Sequence, residues 1–319
     1  MAPNKTWIEK ADLVVQDFIT EGGYLNDEQT ADLFEIQIKE SVLMALATVM
    51  PMKASRREIS KLGFTGRVLR GATENQALTQ ADRSRPLAGK TILDVEEFIA
   101  EVRVPYGALE DHVTQGTLMS HIRTLLGKAI ARDIEFVMIN GDTANTGVTQ
   151  EDLLLQKLDG LIKQATSNTV AAGGVRLNKS PLKQMRQTMP GEFKRSAGQM
   201  AFITSDNAAI DYGDSLASRA TPLGDANVTR TTNLEYGGSP VIPIPEFPED
   251  LGGGTDETVV LLADPKNMHV GIQRDILVET DKDISSRQWI VVTTVKWDTK
   301  WAHEPAVVKA TGVLADPAP

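Results

Sequence analysis

The sequence predicts an α+β fold built around one unusually long amphipathic helix. From about Gly107 to Ile139, apolar residues recur every three to four positions, which is the period of a helix with one buried face. A strand-like run precedes this helix at Thr91–Val104, and four more follow residue 255. A helix of about 30 residues is roughly 45 Å long, so we interpret it as a spine that holds the other elements in place.

Composition narrows the class of protein. The chain of 319 residues is 41% hydrophobic and 24% charged, and it has no apolar run of the roughly 18 residues that a membrane span needs, so we expect a soluble protein of about two domains. It contains no cysteine, which excludes disulfides and thiolate metal sites. A net charge of −10 argues against nucleic-acid binding as its main task.

The charge changes sign along the chain. Residues 1–50 carry nine acidic side chains against three basic ones, residues 51–90 carry nine basic against three acidic, and residues 91–111 carry six acidic against one basic. A solvated surface loop with balanced pairs is one explanation of this pattern. The alternative is complementarity between copies of the same chain, because opposite patches steer and align self-association.

The N-terminal part is predicted to consist of an arm, a helix and a long loop. The first 25 residues alternate charged and apolar side chains around two glycines, which indicates an arm. Asn26 and Asp27 can cap a helix that runs from Glu28 to about Val49, and Pro51 would end it. From Met52 to Lys90 the chain is basic and contains four glycines, which indicates a loop.

This basic loop is predicted to be extended and hairpin-like, because Phe64, Val68 and Leu69 favour strands. A loop of this length inside a compact domain is usually functional or disordered. Phe64 is its only aromatic residue, so the loop has little capacity to stack on nucleic-acid bases. The sequence therefore favours contact with protein at this loop.

The rest of the chain reads as a further strand before the spine helix and a mixed region after it. The strand Thr91–Val104 places Ala100, Val102 and Val104 on one face, and Pro105 ends it. After the spine we expect helical pieces in residues 153–165, broken near Gly160, and a helix at Pro181–Met189. A buried strand at residues 200–204 should lead into a helix capped by Ser205 or Asp206. Residues 237–254 are rich in Pro and Gly, so we expect irregular structure there. The late strands are expected at Thr258–Leu262, Val270–Glu279, Trp289–Trp297 and Ala306–Val313. These strands and residues 91–139 should form one domain, which residues 143–255 interrupt.

No catalytic, cofactor or metal site is predicted. Residues 84–91 end in Gly-Lys-Thr, but they lack the first glycine of a phosphate-binding loop and precede a strand. His112 and His121 fall on opposite faces of the spine helix, so they cannot share a metal ion. Asp133, the one charge on the apolar stripe of this helix, is interpreted as a structural ion-pair partner. An alternative from another class is an enzyme with a site near residues 237–254.

Several short segments, taken together, resemble a known family. They are Val102–Pro105 with Ala108–Asp111, Ala129–Glu135, Ile139–Asp142, Asp159–Leu161, Phe202–Asn207, Thr221–Gly224, Gly237–Val241, Asp281–Arg287 and Ile290–Ala310. In this order, and preceded by an acidic arm and a basic loop, they make the chain from about Glu28 to Gly312 resemble the major capsid protein of tailed phages, which has the HK97 fold.

The resemblance implies a domain organisation and a function. Residues 1–50 would be the N-arm, 51–90 the extended E-loop, 91–142 and 256–319 the peripheral domain with the spine helix, and 143–255 the inserted axial domain. The chain would be a structural protein rather than an enzyme, and it would assemble as hexamers and pentamers into an icosahedral shell around double-stranded DNA. An encapsulin nanocompartment, which encloses cargo proteins, is the alternative with the same fold.

The resemblance also implies contacts between subunits, in which basic E-loop residues reach acidic N-arm or peripheral surfaces of a neighbour. The expected basic residues are Arg56, Arg57, Lys61, Arg67, Arg70, Arg83 and Arg85. The expected acidic residues of the N-arm are Asp27, Glu28, Asp32 and Glu35.

Further partners follow from the same resemblance. We expect a separate scaffolding protein, a portal protein, a decoration protein where the phage has one, packaged DNA bound without sequence specificity, and no membrane. Assembly would take place in the host cytoplasm and yield the virion capsid. Some relatives cross-link an E-loop lysine to a late asparagine. Lys61 or Lys90 could supply the lysine, but no asparagine follows Asn267, so we expect a non-covalent shell. We also expect no cofactor.

Overall fold

The structure is a computed structural model that describes residues 42–64, 68–71, 77, 79–80, 83–84, 86–107, 118–194, 197–218, 234–251 and 256–315. The α-helices with described bounds are α1 (Leu43–Leu46), α2 (Leu118–Asn140), α3 (Gln150–Leu155), α4 (Leu161–Gln164), α5 (Lys179–Thr188) and α6 (Asp206–Ala217). The strands are β1 (Thr48–Pro51), β2 (Arg56–Phe64), β3 (Pro86–Asp94), β4 (Glu96–Pro105), β5 (Thr169–Arg176), β6 (Ala201–Ser205), β7 (Glu235–Tyr236), β8 (Ser239–Ile244), β9 (Glu257–Ala263), β10 (Met268–Asp283), β11 (Gln288–Trp301) and β12 (Val308–Leu314).

The long helix predicted from the apolar period is confirmed over its described part. α2 runs from Leu118 to Asn140, and Tyr106 and Gly107 are also helical, while residues 108–117 lie outside the described ranges. The C-terminal end of α2 is the most deeply buried, since residues 137–139 are at most 1% exposed. Burial therefore fixes one end of the spine in the largest hydrophobic core.

The first sheet packs against α2 and has the strand order β1-β10-β11-β4. β11 is antiparallel to both of its neighbours, and β1 is parallel to β10. Val295 and Trp297 of β11 share one core with Val137 and Ile139 of the helix. Burying such apolar side chains stabilises by about 1.5–3 kcal/mol each, so this contact holds the helix on the sheet.

The helix predicted from Glu28 to Val49 is wrong at its C-terminal end. α1 ends at Leu46, and the next residues form β1, in which Thr48 pairs with His269. Pairing with a strand more than 200 residues away in the chain overrides a local helical pattern, because strand formation depends on context. The N-terminal part of that predicted helix lies outside the described residues.

The second sheet has the order β5-β12-β9-β6-β8-β7, and α5 and α6 pack on it. Leu182, Met185, Phe202 and Tyr212 are at most 1% exposed in its core. Hydrogen-bond pairing places the late strands β9 and β12 in this sheet rather than with β10 and β11. β9 and β12 therefore pair with strands of residues 143–255, although Val259 and Leu261 of β9 share the core that holds the end of the spine.

The prediction of irregular structure in residues 237–254 is wrong in part. Residues 239–244 form β8, which pairs in parallel with β6 and antiparallel with β7. Its apolar residues serve two cores, because Val241 is buried on one side and Ile244 on the other. Burial on both sides stabilises this strand despite Pro240 and Pro243. Proline content argues against a strand, and local sequence does not show that the segment is buried on both sides.

The helices and the strand predicted between residues 150 and 217 are confirmed. α3 and α4 are separate helices with the break before Gly160, and α5 covers the predicted Pro181–Met189 helix to within two residues. The strand β6 is buried along its whole length. Ser205 caps α6, since its side-chain oxygen accepts a hydrogen bond from Ala208 N at 3.3 Å.

Candidate functional site

The basic loop contains a two-stranded antiparallel hairpin that is joined to the body at its base. Nine residue pairs connect β2 and β3, from Arg56 with Asp94 to Phe64 with Pro86. Side chains alternate between the two faces of the hairpin. Ile59 and Lys61 are half-buried, whereas Leu62 and Phe64 near the end of β2 are 78% and 55% exposed. The hairpin thus extends about 27 Å from its base, at about 3.4 Å per residue, and presents an apolar end.

The strand predicted at Thr91–Val104 is two strands. β3 extends the hairpin to Asp94, Val95 interrupts the pairing, and β4 begins at Glu96 in another sheet. A small core of Met52, Leu93 and Val95, each at most 9% exposed, fills the base of the hairpin. The break at Val95 therefore marks the junction at which the hairpin joins the body.

Asp298 of β11 sets the direction of the hairpin at this junction. It is 2% exposed, and its carboxylate accepts hydrogen bonds from Asp94 N at 2.8 Å and Thr299 N at 2.7 Å. Burial raises the pKa of Asp298, and the bond from Asp94 N opposes that rise. This role could not be predicted from local sequence, because it depends on a contact between residues that are 204 positions apart.

Beneath the hairpin lies a cleft of about 610 Å³, lined by β2 and by turns of both sheets. Lys61 enters it, together with His269, His303 and Glu192. Burial lowers the pKa of Lys61, and the nearby carboxylate of Glu304 opposes that change. Burial also lowers the pKa of His303, and Lys61 lowers it further. Lys61 therefore faces its own chain here, unlike the outward-facing basic residues.

The other predicted basic residues that the structure describes lie along the hairpin and its loop. Arg56 is exposed on β2, and Arg57 donates to Pro51 O at 2.9 Å. Arg70 and Arg83 are exposed in the described parts of the loop. Six predicted contact residues lie outside the described ranges, namely Arg67, Arg85, Asp27, Glu28, Asp32 and Glu35.

An acidic surface on β4 was part of the predicted peripheral domain, but its position at a sheet edge was not predicted. Glu97 is paired with Arg274 at 3.0 Å and with Lys296 at 3.1 Å, and Glu101 is paired with Arg103 at 2.7 Å. Such exposed pairs contribute only about 0–1 kcal/mol each. The ion pairs of this surface therefore add little to the stability of the folded chain.

Asp133, interpreted as an ion-pair partner on the apolar stripe of the spine, pairs with Arg132 but is not buried. Its side chain is 52% exposed and lies 3.3 Å from that of Arg132. Contact with an apolar groove raises the pKa of Asp133, and Arg132 opposes that rise. The buried acidic residue is Glu135, which is 2% exposed and accepts a hydrogen bond from Leu43 N at 2.6 Å. The helical period placed Glu135 outside the apolar stripe. Its burial depends on α1, which covers that face of the helix.

A charged cluster joins the end of the spine to the region that follows. Lys163 Nζ lies 2.5 Å from Asp142 Oδ1 and 2.7 Å from Asp159 Oδ1. Thr143 donates to Asp159 through its amide at 3.0 Å and through its hydroxyl at 2.7 Å. Burial alone would raise the pKa of Asp159, but the bonds from Lys163 and Thr143 lower it to about 2. The cluster therefore favours the ionised form of this carboxylate.

We expect stability to fall in acid because of this cluster. The folded pKa of Asp159 lies below its unfolded value of about 4, so its contribution is complete above pH 4 and is lost as the pH falls from about 4 to 2. After allowance for solvent screening, about 1 kcal/mol should be lost. Urea unfolding at several pH values checks this, with Asp159→Asn as the control. Equal pH dependence in both proteins below pH 4 would contradict the prediction.

Other kinds of site find no support in the part of the chain that the structure describes. No group of three histidine, aspartate or glutamate side chains there is close enough to hold a metal ion. None of the helices in the same ranges is long and apolar enough to cross a membrane.

Comparison with known proteins gives consistent matches over nearly the whole chain. A family model described as the phage capsid family matches residues 22–312. YqbE of Bacillus subtilis (strain 168), named as a prophage capsid protein, is 33% identical over 314 residues, which cover 97% of this chain and 99% of YqbE. The capsid of a native GTA particle has a TM-score of 0.68 at 15% identity, covering 92% of this chain and 98% of its own. The SrpI encapsulin of Synechococcus elongatus PCC 7942 has a TM-score of 0.61 at 12% identity, covering 94% and 96%.

Proposed function

Since this chain belongs to the phage capsid family, we propose that it forms the hexamers and pentamers of an icosahedral shell that encloses the double-stranded DNA of a tailed bacteriophage. The chain has the HK97-like fold and is a capsid shell protein. The observation that carries the finer proposal is the extent of the family match, because residues 22–312 include the hairpin, the spine and both sheets.

The hairpin supports a role in joining neighbouring subunits. It carries exposed basic residues, and Leu62 and Phe64 near the end of β2 are more than half exposed although they also line the cleft beneath the hairpin. Each exposed ion pair with a neighbour would contribute only about 0–1 kcal/mol, but a shell repeats the contact at every subunit. We therefore propose that basic hairpin residues reach acidic N-arm or peripheral surfaces of the next subunit. Assembly from isolated capsomers should then slow as salt is raised, because salt screens exposed charges.

Cryo-electron microscopy of particles from cells that produce the phage tests the shell proposal. The expected result is an icosahedral particle with both six-fold and five-fold capsomers and nuclease-protected double-stranded DNA inside. On a denaturing gel, the subunit should migrate as an intact monomer, as expected of a non-covalent shell. Particles built from pentamers alone, or particles that never contain DNA, would overturn the finer proposal.

Assembly partners belong to the same proposal. A scaffolding protein, a portal protein and a decoration protein where present would bind the shell, and DNA would be contacted without sequence specificity. Assembly would take place in the host cytoplasm before the chain becomes part of the virion capsid. Mass spectrometry of immature and mature particles checks the set, since a scaffolding protein should be present only in the immature form.

The second candidate function is a nanocompartment that encloses cargo proteins. One observation favours it, namely the similarity to the SrpI encapsulin, which at 12% identity shows the fold alone. A particle that retains a specific enzyme and no DNA would support this alternative. The enzyme alternative near residues 237–254 is not supported, since residues 239–244 are a core strand and the family is structural.

A further inference from the structure

The hairpin is attached to the body at its base, while its outer half lies across the cleft. At the base, a small apolar core and the hydrogen bond from Asp94 N to Asp298 fix the junction. Farther out along β3, Thr91 Oγ1 donates to Ala302 O at 3.3 Å. Within the part of the chain that the structure describes, residues 60–64 make no hydrogen bond with the body. This geometry allows the hairpin to rotate about its base, because a hinge needs only a few residues at the end of an element.

Two histidines of the body line the cleft, and a lysine of the hairpin enters it. His269 lies on β10 and His303 on the turn after β11, and Lys61 comes from β2. The Nδ1 atom of His269 is 3.0 Å from Met50 Sδ, and the ring of His303 lies 4.8 Å from that of Phe193. Both imidazoles are therefore held by the body, whereas the lysine would move with the hairpin.

The other charged groups around the histidines come from several elements. The cations besides Lys61 are Lys266, which lines the cleft, and Lys300, which is opposite His269 in the pairing of β10 with β11. The anions are Glu192, Asp264 and Glu304. Glu304 accepts hydrogen bonds from Thr166 N at 2.8 Å and Ser167 N at 2.7 Å, and Asp264 accepts from Lys266 N at 3.0 Å. Two of the three carboxylates are thus bound within the body, so charge added to the histidines would repel Lys61.

The position of the hairpin and the charge of the histidines are linked. Burial lowers the pKa of both histidines, and Lys61 lowers both further; a bond to the Lys266 carbonyl opposes the change at His269, and Glu304 opposes it at His303. Lifting the hairpin would remove Lys61 and admit water, so both pKa values would return toward the ordinary value of about 6.5. The lifted state then binds protons more strongly, and it gains on the docked state as the pH falls through this range.

We propose that this cleft is an acid-sensitive latch for the hairpin. With His269 and His303 neutral, the hairpin lies over the cleft, and protonation of the two rings beside Lys61 releases its outer half from the body. The hairpin thereby takes two orientations, one at neutral pH and one in mild acid. The latch lies within a single chain and needs no shell, so its failure would leave the proposed function intact.

The distance between two spin labels, measured by double electron–electron resonance on the unassembled full chain, tests this latch. The chain contains no cysteine of its own, so Gly63→Cys on the hairpin and Gly191→Cys across the cleft give a unique pair. No atom of the described residues lies within 4 Å of a Cβ atom at either position. Rotation by about 20° would move the end of a hairpin about 27 Å long by about 10 Å. We expect a component longer by this amount to appear between about pH 7.5 and pH 5.5, the range in which histidine titrates.

Substitutions in the same labelled chain identify the groups responsible. His269→Gln with His303→Gln should abolish the long component, and Lys61→Met should reduce it in acid without altering either histidine. Lys90→Gln is the matched control, because Lys90 lies on the same hairpin but pairs with Glu58 at 2.8 Å. It should leave the response unchanged.

A second label pair, Gly127→Cys with Gly191→Cys, lies off the hairpin and should keep one distance at both pH values. An unchanged Gly63–Gly191 distance in acid would refute the latch. So would a long component that persists in the histidine variant, or one that appears together with a change in the Gly127–Gly191 distance, since the latter would mean that the body itself unfolds.

Discussion

Gly141→Ala is expected to destabilise the folded chain by about 3 kcal/mol. Gly141 follows the spine helix, where its amide bonds to Val137 O at 2.9 Å and its carbonyl accepts from Gly160 N at 2.7 Å. A Cβ atom at this position would lie 2.8 Å from Val137 O, 2.9 Å from Gly160 N and closer still to Leu158 O. These neighbours are backbone atoms of packed elements, so they cannot move aside at low cost.

The matched control is Gly127→Ala in the middle of the spine. No atom of the described residues lies within 4 Å of a Cβ atom there, so alanine should stabilise the helix by about 0.5–1 kcal/mol through its better helix propensity. Thermal unfolding of the unassembled chain, followed by circular dichroism, measures both variants. A Gly141→Ala protein that melts within 2 °C of the unmodified chain would show that the turn can open, contrary to this prediction.

At this turn, local sequence predicts the end of the helix but not its contacts. Asn140 and Gly141 indicate the end of a helix by local rules, and the structure ends α2 at that point. The crossing of Gly141 with Gly160 has no local signal, because it joins two turns that the sequence separates. Local chemistry therefore predicts where the spine ends but not what it contacts there.

Long-range pairing explains where the fold departs from what local patterns predict. Thr48 and Val49 continue a helical pattern, but residues 48–51 pair as a strand with the edge of β10. β9 and β12 have the composition of the other late strands, and only their partners β5 and β6 place them in the second sheet. Composition shows that a segment is apolar, whereas its sheet is decided by segments far away in the chain.

Local sequence predicts the candidate site in outline, but not its contacts with the rest of the fold. The run of basic residues and the strand character of Phe64 identify the loop and its hairpin from local sequence alone. The junction at Val95 and the role of Asp298 required contacts across the fold. The position of β4 at the edge of its sheet, as far as the chain is described, could not be foreseen either, because an edge is defined only by the strand order.

Glu135→Ala is expected to destabilise the chain by about 2 kcal/mol, because it removes the acceptor of a buried amide. Glu135 is 2% exposed on the spine, and its Oε1 atom accepts from Leu43 N at 2.6 Å. This bond attaches α1 to the spine, close to where the N-terminal part of the chain joins the body. Hydrogen exchange resolved by residue should show the Leu43 amide exchanging about 30-fold faster in the variant, in line with the lost stability.

Glu135→Gln separates the hydrogen bond from the size of the side chain. Glutamine keeps an oxygen where Leu43 N donates, so the amide of Leu43 should stay protected and the loss of stability should remain below about 1 kcal/mol. Amides in β11, on the far side of the core, provide the internal reference in both variants. If alanine and glutamine speed exchange at Leu43 equally, the carboxylate does not hold α1 through this bond. If alanine leaves Leu43 protected, the anchor of the N-terminal region lies in the apolar contacts of Leu43, which is 1% exposed in the main core.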